Sequence, residues 1–190
     1  MDTATRRNQQ IRALYEREKD VLFRAALRVG GGRRTFAEDV VQDVFVALLT
    51  GYERLDDSRD LGGWLYRATM NGCYSRLRKE AVRRNPLVAL FLGHDAVEAP
   101  SADIRARLDS AQRDALDALK LLPARERVAF CMVRLDDAPL ADVAAVLGCS
   151  VPTASRLVAR AEALLTRAGW GQAPTRRADV DAARTEVAHG

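Results

Sequence analysis

The sequence predicts an all-α protein: two small helical domains joined by a flexible linker, the C-terminal one containing a helix-turn-helix. Three observations predict it. Apolar residues recur with a 3.6-residue period along most of the chain, while strand-type alternation is nowhere sustained. Between Arg84 and Ser110 the pattern weakens around Pro86, Gly93 and Pro100, as a linker requires. After Pro139 a short apolar helix pattern, a glycine and a longer amphipathic pattern follow one another. The 190 residues suffice for one ordinary domain or two small helical ones, and with 48% apolar and 29% charged residues wholesale disorder is excluded.

The composition also narrows the chemistry. No run approaches the ~20 apolar residues of a membrane span, so membrane insertion is not expected. The opening MDTATRRNQQIR lacks an apolar signal core, so secretion is not expected either. Cys73, Cys131 and Cys149 are odd in number, scattered and without a CxxC pair, which fits no disulfide framework and suits a reducing cytoplasm. His94 and His189 form no cluster with them, so neither a structural zinc nor any other metal or cofactor is expected. The net charge of +4 permits a polyanionic partner without demanding one. Only Lys19, Lys79 and Lys120 are lysines, so arginine supplies the other 27 of the 30 basic residues, and for most of them a GC-rich coding bias is the plainer reading. The planar fork of arginine suits phosphates and base edges.

The first helix is expected over about Gln10 to Val29, ending at Gly30-Gly31-Gly32. The second, FAEDVVQDVFVALLT, should start near Phe36, because Thr35 and Glu38 have capping-box spacing. At ~100° per residue, Ala37, Val40, Val41, Val44, Phe45 and Leu48 form its inner face, and Asp39, Gln42, Asp43 and Val46 fall opposite. Such a stripe is ordinarily a solvated surface; it also suits docking by a basic partner helix. A divalent metal on Asp39 and Asp43 is disfavoured, because no histidine or further carboxylate cluster accompanies them.

The third helix, LGGWLYRATMNGCYSRLRKEAVRRN, places Tyr66, Thr69, Met70, Cys73 and Leu77 on one face. Trp64, Arg67, Asn71, Ser75 and Arg78 share the other. An aromatic can stack on an unstacked base and an amide can bond its edge. The helix runs into Arg76, Arg78, Lys79, Arg83 and Arg84, with Glu80 the one acid between Trp64 and Asn85; Thr35 to Asp60 holds seven acids and two bases. That segregation says more than the small net charge. On its own, Trp64 reads as a core residue.

The segment beyond Asn85 is the linker, although its LVALFL run is too apolar for a purely solvated tether. In the final pair, Leu140, Val143, Ala144 and Leu147 form the buried stripe of the first helix, and Gly148 supplies the permissive turn. Ser150 is a suitable N-cap and Pro152 is tolerated in the first turn. Ala154, Val158, Ala161 and Leu165 face inward. Thr153, Ser155, Arg156 and Arg160 face outward, where a recognition helix meets base edges and phosphates.

With these segments in order, the chain resembles the extracytoplasmic-function (group 4) sigma factors of bacterial RNA polymerase. AEDVVQDVFVALL resembles that group's region 2.2, WLYRATMNGCYSRLRKEAVRR its regions 2.3 and 2.4, and LLPARERVAFCMVRLDDAPLADVAAVLGCSVPTASRLVARAEALL its regions 4.1 and 4.2. The match spans roughly Gln10 to Arg84 and Ala111 to Ala168, and it departs from the group's usual residues at Met70, Ser75, Pro152 and Ser155. The resemblance implies region 2 over 10–85, a linker over 86–110 and region 4 over 111–168; the tail over 169–190 has no counterpart in the group, and its polar, Gly- and Pro-bearing start leaves it expected to be disordered. It implies docking of Asp39, Gln42, Asp43 and Val46 on core RNA polymerase, through the beta-prime and beta subunits. It implies minus-10 contacts from Trp64, Arg67, Asn71, Ser75, Arg78 and Lys79, and a loop from Gly51 to Asp60 that holds a flipped base. It implies minus-35 contacts from Thr153, Ser155, Arg156 and Arg160, an anti-sigma factor as a further partner, and no catalytic residue. Two rival readings are a stand-alone helix-turn-helix regulator, which leaves the faces of the second and third helices without purpose, and a metal-dependent nucleic-acid hydrolase using Glu38, Asp39 and Asp43.

Overall fold

The computed structural model describes residues 3–51, 60–83 and 99–170. Among these are eight α-helices, one π-helical turn and no strand, the all-α class that the periodicity predicts. The chain divides into two compact units between Leu116 and Asp117. The LVALFL run lies outside the described residues, as do the interior of the Gly51 to Asp60 loop, Arg84, and the tail beyond Trp170.

In the first unit α1 (Thr3–Val29), α2 (Arg34–Gly51) and α3 (Leu61–Arg83) each pack against the other two. Helix α1 begins well before the expected Gln10. Ile11, Leu14 and Leu22 from α1 meet Val41, Val44, Phe45 and Leu48 from α2 and Leu65 from α3. All six residues of the expected α2 inner face are buried. On α3 the expected face needs a correction: Thr69, Met70, Cys73 and Leu77 are buried, but Tyr66 is only half-buried and Leu65 is fully enclosed. The inner ridge runs Leu65–Thr69–Cys73 at four-residue spacing, which turns Tyr66 to the flank. The one polar side chain on that ridge is satisfied within the helix, the Thr69 hydroxyl donating to the Leu65 carbonyl at 2.8 Å.

A guanidinium closes this unit. Arg33, in the α1–α2 turn, has a side chain only 8% exposed. Its Nε donates to the Gly30 carbonyl at 2.8 Å, its Nη1 to Glu80 Oε1 of α3 at 2.8 Å, and its plane stands 4.4 Å from the Phe36 ring. Glu80, the one acid in the basic stretch of α3, is there as the partner of a buried cation. Helix α2 starts two residues before the expected Phe36 and is capped from elsewhere. The Ser101 hydroxyl accepts the Arg34 amide at 3.0 Å, and the Ser101 amide donates to the Gly32 carbonyl at 3.0 Å. Glu38 does not reach back as a capping box would require; its Oε1 takes the Arg34 guanidinium at 2.7 Å. Arg34 also binds Asp103 at 2.7 Å, so the chain after Pro100, with α4 (Ala102–Ala106), is fastened to the first unit. A reciprocal cap begins α5 (Ser110–Lys120): Asp109 accepts the Gln112 amide at 2.7 Å and Gln112 accepts the Asp109 amide at 3.1 Å.

The second unit begins in the last turns of α5 and continues through α6 (Ala124–Phe130), a π turn (Cys131–Leu135), α7 (Leu140–Leu147) and α8 (Val151–Arg167). Helices α6, α7 and α8 pack around Val128, Phe130, Met132, Val143, Leu147, Leu157 and Val158, all buried. The π turn places one extra residue in the helical ladder, with the Asp136 amide donating to the Cys131 carbonyl at 3.1 Å. Asp137 then takes a left-handed conformation at φ 54°, which aspartate tolerates better than most residues. Arg134 binds Glu162 of α8 at 2.6 Å across the same turn.

Loss of the Arg33 partner should be felt well beyond a surface change. Glu80→Ala is expected to lower unfolding stability by about 2 kcal/mol, because it strands a nearly buried guanidinium. Lys79→Ala, at the exposed neighbouring position, should stay within about 0.5 kcal/mol of wild type. Urea titrations of the full chain compare the two, and equal losses would show that the Arg33–Glu80 pair does not hold the unit.

Candidate functional site

The residues singled out in the sequence fall on three helix surfaces. Asp39, Gln42, Asp43 and Val46 are all exposed on α2, yet they do not form one uniform face. Gln42 and Val46 line a groove of about 780 Å³ between α1 and α2, together with Tyr15, Phe23, Phe45 and Leu49. Tyr15, Val46 and Leu49 stay 40–51% exposed along it, so it is apolar and open. Arg34 stands at the same groove as a permanent cation: the hydrogen bonds it donates to Glu38, then Asp103, hold its guanidinium above its already high range.

Asp39 and Asp43 lie outside that groove lining and point toward α3. Arg76 Nη1 donates to Asp39 Oδ2 at 3.2 Å and Nη2 to Asp43 Oδ2 at 2.6 Å. Sequence reasoning missed this fork, because it counted Arg76 with the basic run of α3. Four-residue spacing holds the signal: Arg76 is four residues before Glu80 and lies on the ridge that faces α2, not on the outward face. The helices approach closely at Gly72, one turn before Arg76, where an added Cβ would stand 3.2 Å from Val40 Cγ1.

On the outer surface of α3, Asn71, Arg78 and Lys79 are exposed and Arg67 and Ser75 are half-buried. Trp64 is half-buried and packs against the core cluster of the first unit. It therefore packs on the core while part of its surface stays accessible. Asp60 immediately precedes its helix, and the Asp60 carbonyl accepts the Trp64 amide at 3.0 Å.

In the second unit, the axes of α7 and α8 turn by 97° across Gly148-Cys149-Ser150, within the range of a helix-turn-helix. Gly148 caps α7 in a left-handed conformation at φ 58°. Leu140, expected in the buried stripe, is half-buried, and Val146 is buried beside Val143, Ala144 and Leu147. Ser150 has the extended backbone of an N-cap, but its hydroxyl makes no cap bond; it pairs with the Thr153 hydroxyl at 2.9 Å. Thr153 also accepts from Arg156 Nη2 at 3.1 Å. Ser155, Arg156 and Arg160 are exposed, and Thr153 is half-buried. Arg160 makes a loose 3.6 Å contact with Glu126 while remaining 72% exposed. The helix thus offers two arginines and three hydroxyls near its N-terminus, where unpaired amides favour phosphate.

Among the described residues no cluster of three metal-ligating side chains occurs, and no single helix is long and apolar enough to cross a membrane. Of the cysteines, Cys73 and Cys131 are buried and Cys149 is half-buried.

Two families match the chain: Sigma-70 region 2 over residues 14–83 and Sigma-70, region 4, over residues 112–165. The ECF RNA polymerase sigma factor SigM of Mycobacterium tuberculosis, from strains Erdman and H37Rv alike, is 30% identical over 158 residues, covering 81% of this chain and 74% of that protein. Two solved structures share the fold. One is the sigma factor RpoE in complex with the anti-sigma factor NepR from Bartonella quintana, with TM-score 0.63 and 23% identity over 84% of this chain and 96% of that one. The other is CnrH in complex with the cytosolic domain of CnrY, with TM-score 0.57 and 24% identity over 84% and 87%.

The turn of the helix pair is testable by itself. Nothing lies within 4 Å of a Cβ added at Gly148, so any cost of a side chain there is conformational. Gly148→Ala is expected to destabilise the chain by about 1 kcal/mol and Gly148→Asn by clearly less, since asparagine tolerates the left-handed region. Thermal unfolding measures both; an unchanged Gly148→Ala midpoint would contradict the turn geometry.

Proposed function

The chain belongs to the extracytoplasmic-function sigma factors of bacterial RNA polymerase, and we propose that its three exposed helix surfaces divide promoter recognition as follows. A sigma factor binds core RNA polymerase, recognises the minus-35 and minus-10 promoter elements, and promotes the melting that starts transcription. Residues 10–85 serve as region 2, 86–110 as the linker, 111–168 as region 4, and 169–190 as a tail. Asp39, Gln42, Asp43 and Val46 meet the polymerase: two carboxylates for a basic partner, and an amide and a valine beside an apolar groove. Trp64, Arg67, Asn71, Ser75, Arg78 and Lys79 take the opened minus-10 strand, with bases on the accessible side of Trp64 and phosphates on the arginines and lysine. The Gly51 to Asp60 loop holds a flipped base. Thr153, Ser155, Arg156 and Arg160 read the minus-35 duplex from the N-terminal half of α8.

The observation that carries this reading is the presence, in one chain, of a helix-turn-helix with exposed Arg156 and Arg160 and of a separate helix with exposed Asn71 and Arg78. A stand-alone regulator would need only the first. No group in this account performs covalent chemistry, and the chain works in the cytoplasm beside polymerase and DNA. An anti-sigma factor is a further partner, supported by the similar RpoE structure, a sigma factor in complex with the anti-sigma factor NepR.

The two units are separable by mutation. Arg156, already fixed by Thr153, is the base-contacting arginine; its replacement by alanine should relax minus-35 preference by about 1–3 kcal/mol of discrimination and leave minus-10 preference intact. Arg160→Ala should weaken all minus-35 sequences alike and flatten the salt dependence. Holoenzyme binding to promoter variants at several salt concentrations separates them; full retention of preference and slope in both would displace the recognition helix. Asn71 is exposed, so Asn71→Ala should leave stability within about 0.5 kcal/mol while selectivity among minus-10 sequences falls. Unchanged transcription from every minus-10 variant would remove Asn71 from the site.

A further inference from the structure

Every acid on α2 is matched by an arginine of the same unit. Arg34 binds Glu38, and Arg76 straddles Asp39 and Asp43 with one nitrogen on each. The geometry follows from helix spacing: carboxylates one turn apart on one face lie within the span of a single planar fork. Most of both carboxylates remains open, with the Asp39 side chain 57% exposed and that of Asp43 71% exposed, while the Arg76 side chain is 32% exposed. A basic helix approaching α2 therefore meets a net charge of one, not two, and meets a guanidinium of like sign beside its target.

A purely structural tie explains this arrangement poorly. The α2–α3 contact is already set by Val40 against Gly72, by buried Thr69, Met70 and Cys73, and by the Arg33–Glu80 pair. An exposed fork adds little to that. Its electrostatic effect on an incoming cation is larger, because complementary charge acts mainly on encounter and like charge opposes it.

We propose that Arg76 is an internal counter-ion for the polymerase-docking carboxylates, so that docking exchanges the Arg76 fork for a cation of the partner. Arg76 thereby weakens polymerase binding and lowers its salt sensitivity. This rests on the reading that Asp39 and Asp43 meet the polymerase, and the two claims are tested by different variants.

The test measures binding of the full-length protein to core RNA polymerase across a range of salt concentrations, for wild type, Arg76→Gln, the double variant Asp39→Asn/Asp43→Asn, and the triple combination. Arg76→Gln should tighten binding by on the order of fivefold at low salt and steepen the salt dependence. The double variant should weaken binding, and adding Arg76→Gln to it should produce no tightening. Arg76→Lys keeps the charge but loses the fork, so its affinity should fall between wild type and Arg76→Gln; it also serves if Arg76→Gln does not fold. If Arg76→Gln weakens binding or leaves affinity and slope unchanged while the double variant weakens it, the counter-ion role is wrong and the docking reading stands. If the double variant binds like wild type, the docking reading fails and the counter-ion role with it.

Discussion

The first unit depends on one cation that has nowhere else to go. Arg33 stands in a glycine-rich turn with its side chain almost wholly enclosed, and a buried guanidinium must find partners for its fork. It finds the Gly30 carbonyl, the Phe36 ring and Glu80. The last of these fixes the C-terminal half of α3 against the start of α2. Once that register is set, Arg76, one turn back along the same ridge, falls over Asp39 and Asp43, and the opposite side of α3 is left outward with Asn71, Arg78 and Lys79. The same turn receives the chain after Pro100, through Ser101 on Gly32 and Arg34. The exposed carboxylates of α2, the outward side of α3 and the anchor at Ser101 are thus arranged around a single ion pair.

The second unit solves a different problem: holding a short helix nearly perpendicular to a long one. Helix α7 has eight residues, too few to persist alone, and it is kept by burial of Val143, Ala144, Val146 and Leu147. The left-handed Gly148 ends it without an orphaned turn, and the chain re-enters α8 through Ser150 and Pro152. Behind this pair, Arg127 Nη2 donates to the Lys120 and Leu122 carbonyls at 2.9 and 3.0 Å, closing the end of α5. The outward side of α8 is then free of packing duty, and its arginines are available to a polyanion.

What was legible in the sequence was whatever periodicity writes locally. The inner face of α2, most of that of α3, the Gly148 turn and the inward row of α8 all follow from three- and four-residue spacing of apolar side chains. What was not legible depends on contacts between segments far apart in the chain. Arg33 and Glu80 are 47 residues apart, Arg76 and Asp39 are 37 apart, and Ser101 caps a helix 67 residues upstream. No local pattern marks such pairs; Thr35 and Glu38 even offered a plausible local cap that the folded chain does not use, because Glu38 binds Arg34 instead. Trp64 was ambiguous for a physical reason, since a tryptophan at a helix start can serve a core and a surface together. The π turn at Cys131–Leu135 left no sign in composition or period.

The proposed function requires that this chain act through core polymerase, with two units reading two promoter elements. In vitro transcription from a randomised promoter library, with core RNA polymerase and the purified chain, tests it most directly. The expected result is that core polymerase gains transcripts from promoters sharing two short elements, near minus-35 and minus-10, at a fixed separation, and that the chain without polymerase selects no such pair. The contrary result is tight, selective binding of duplex promoter by the chain alone, with no change in the promoters that core polymerase uses.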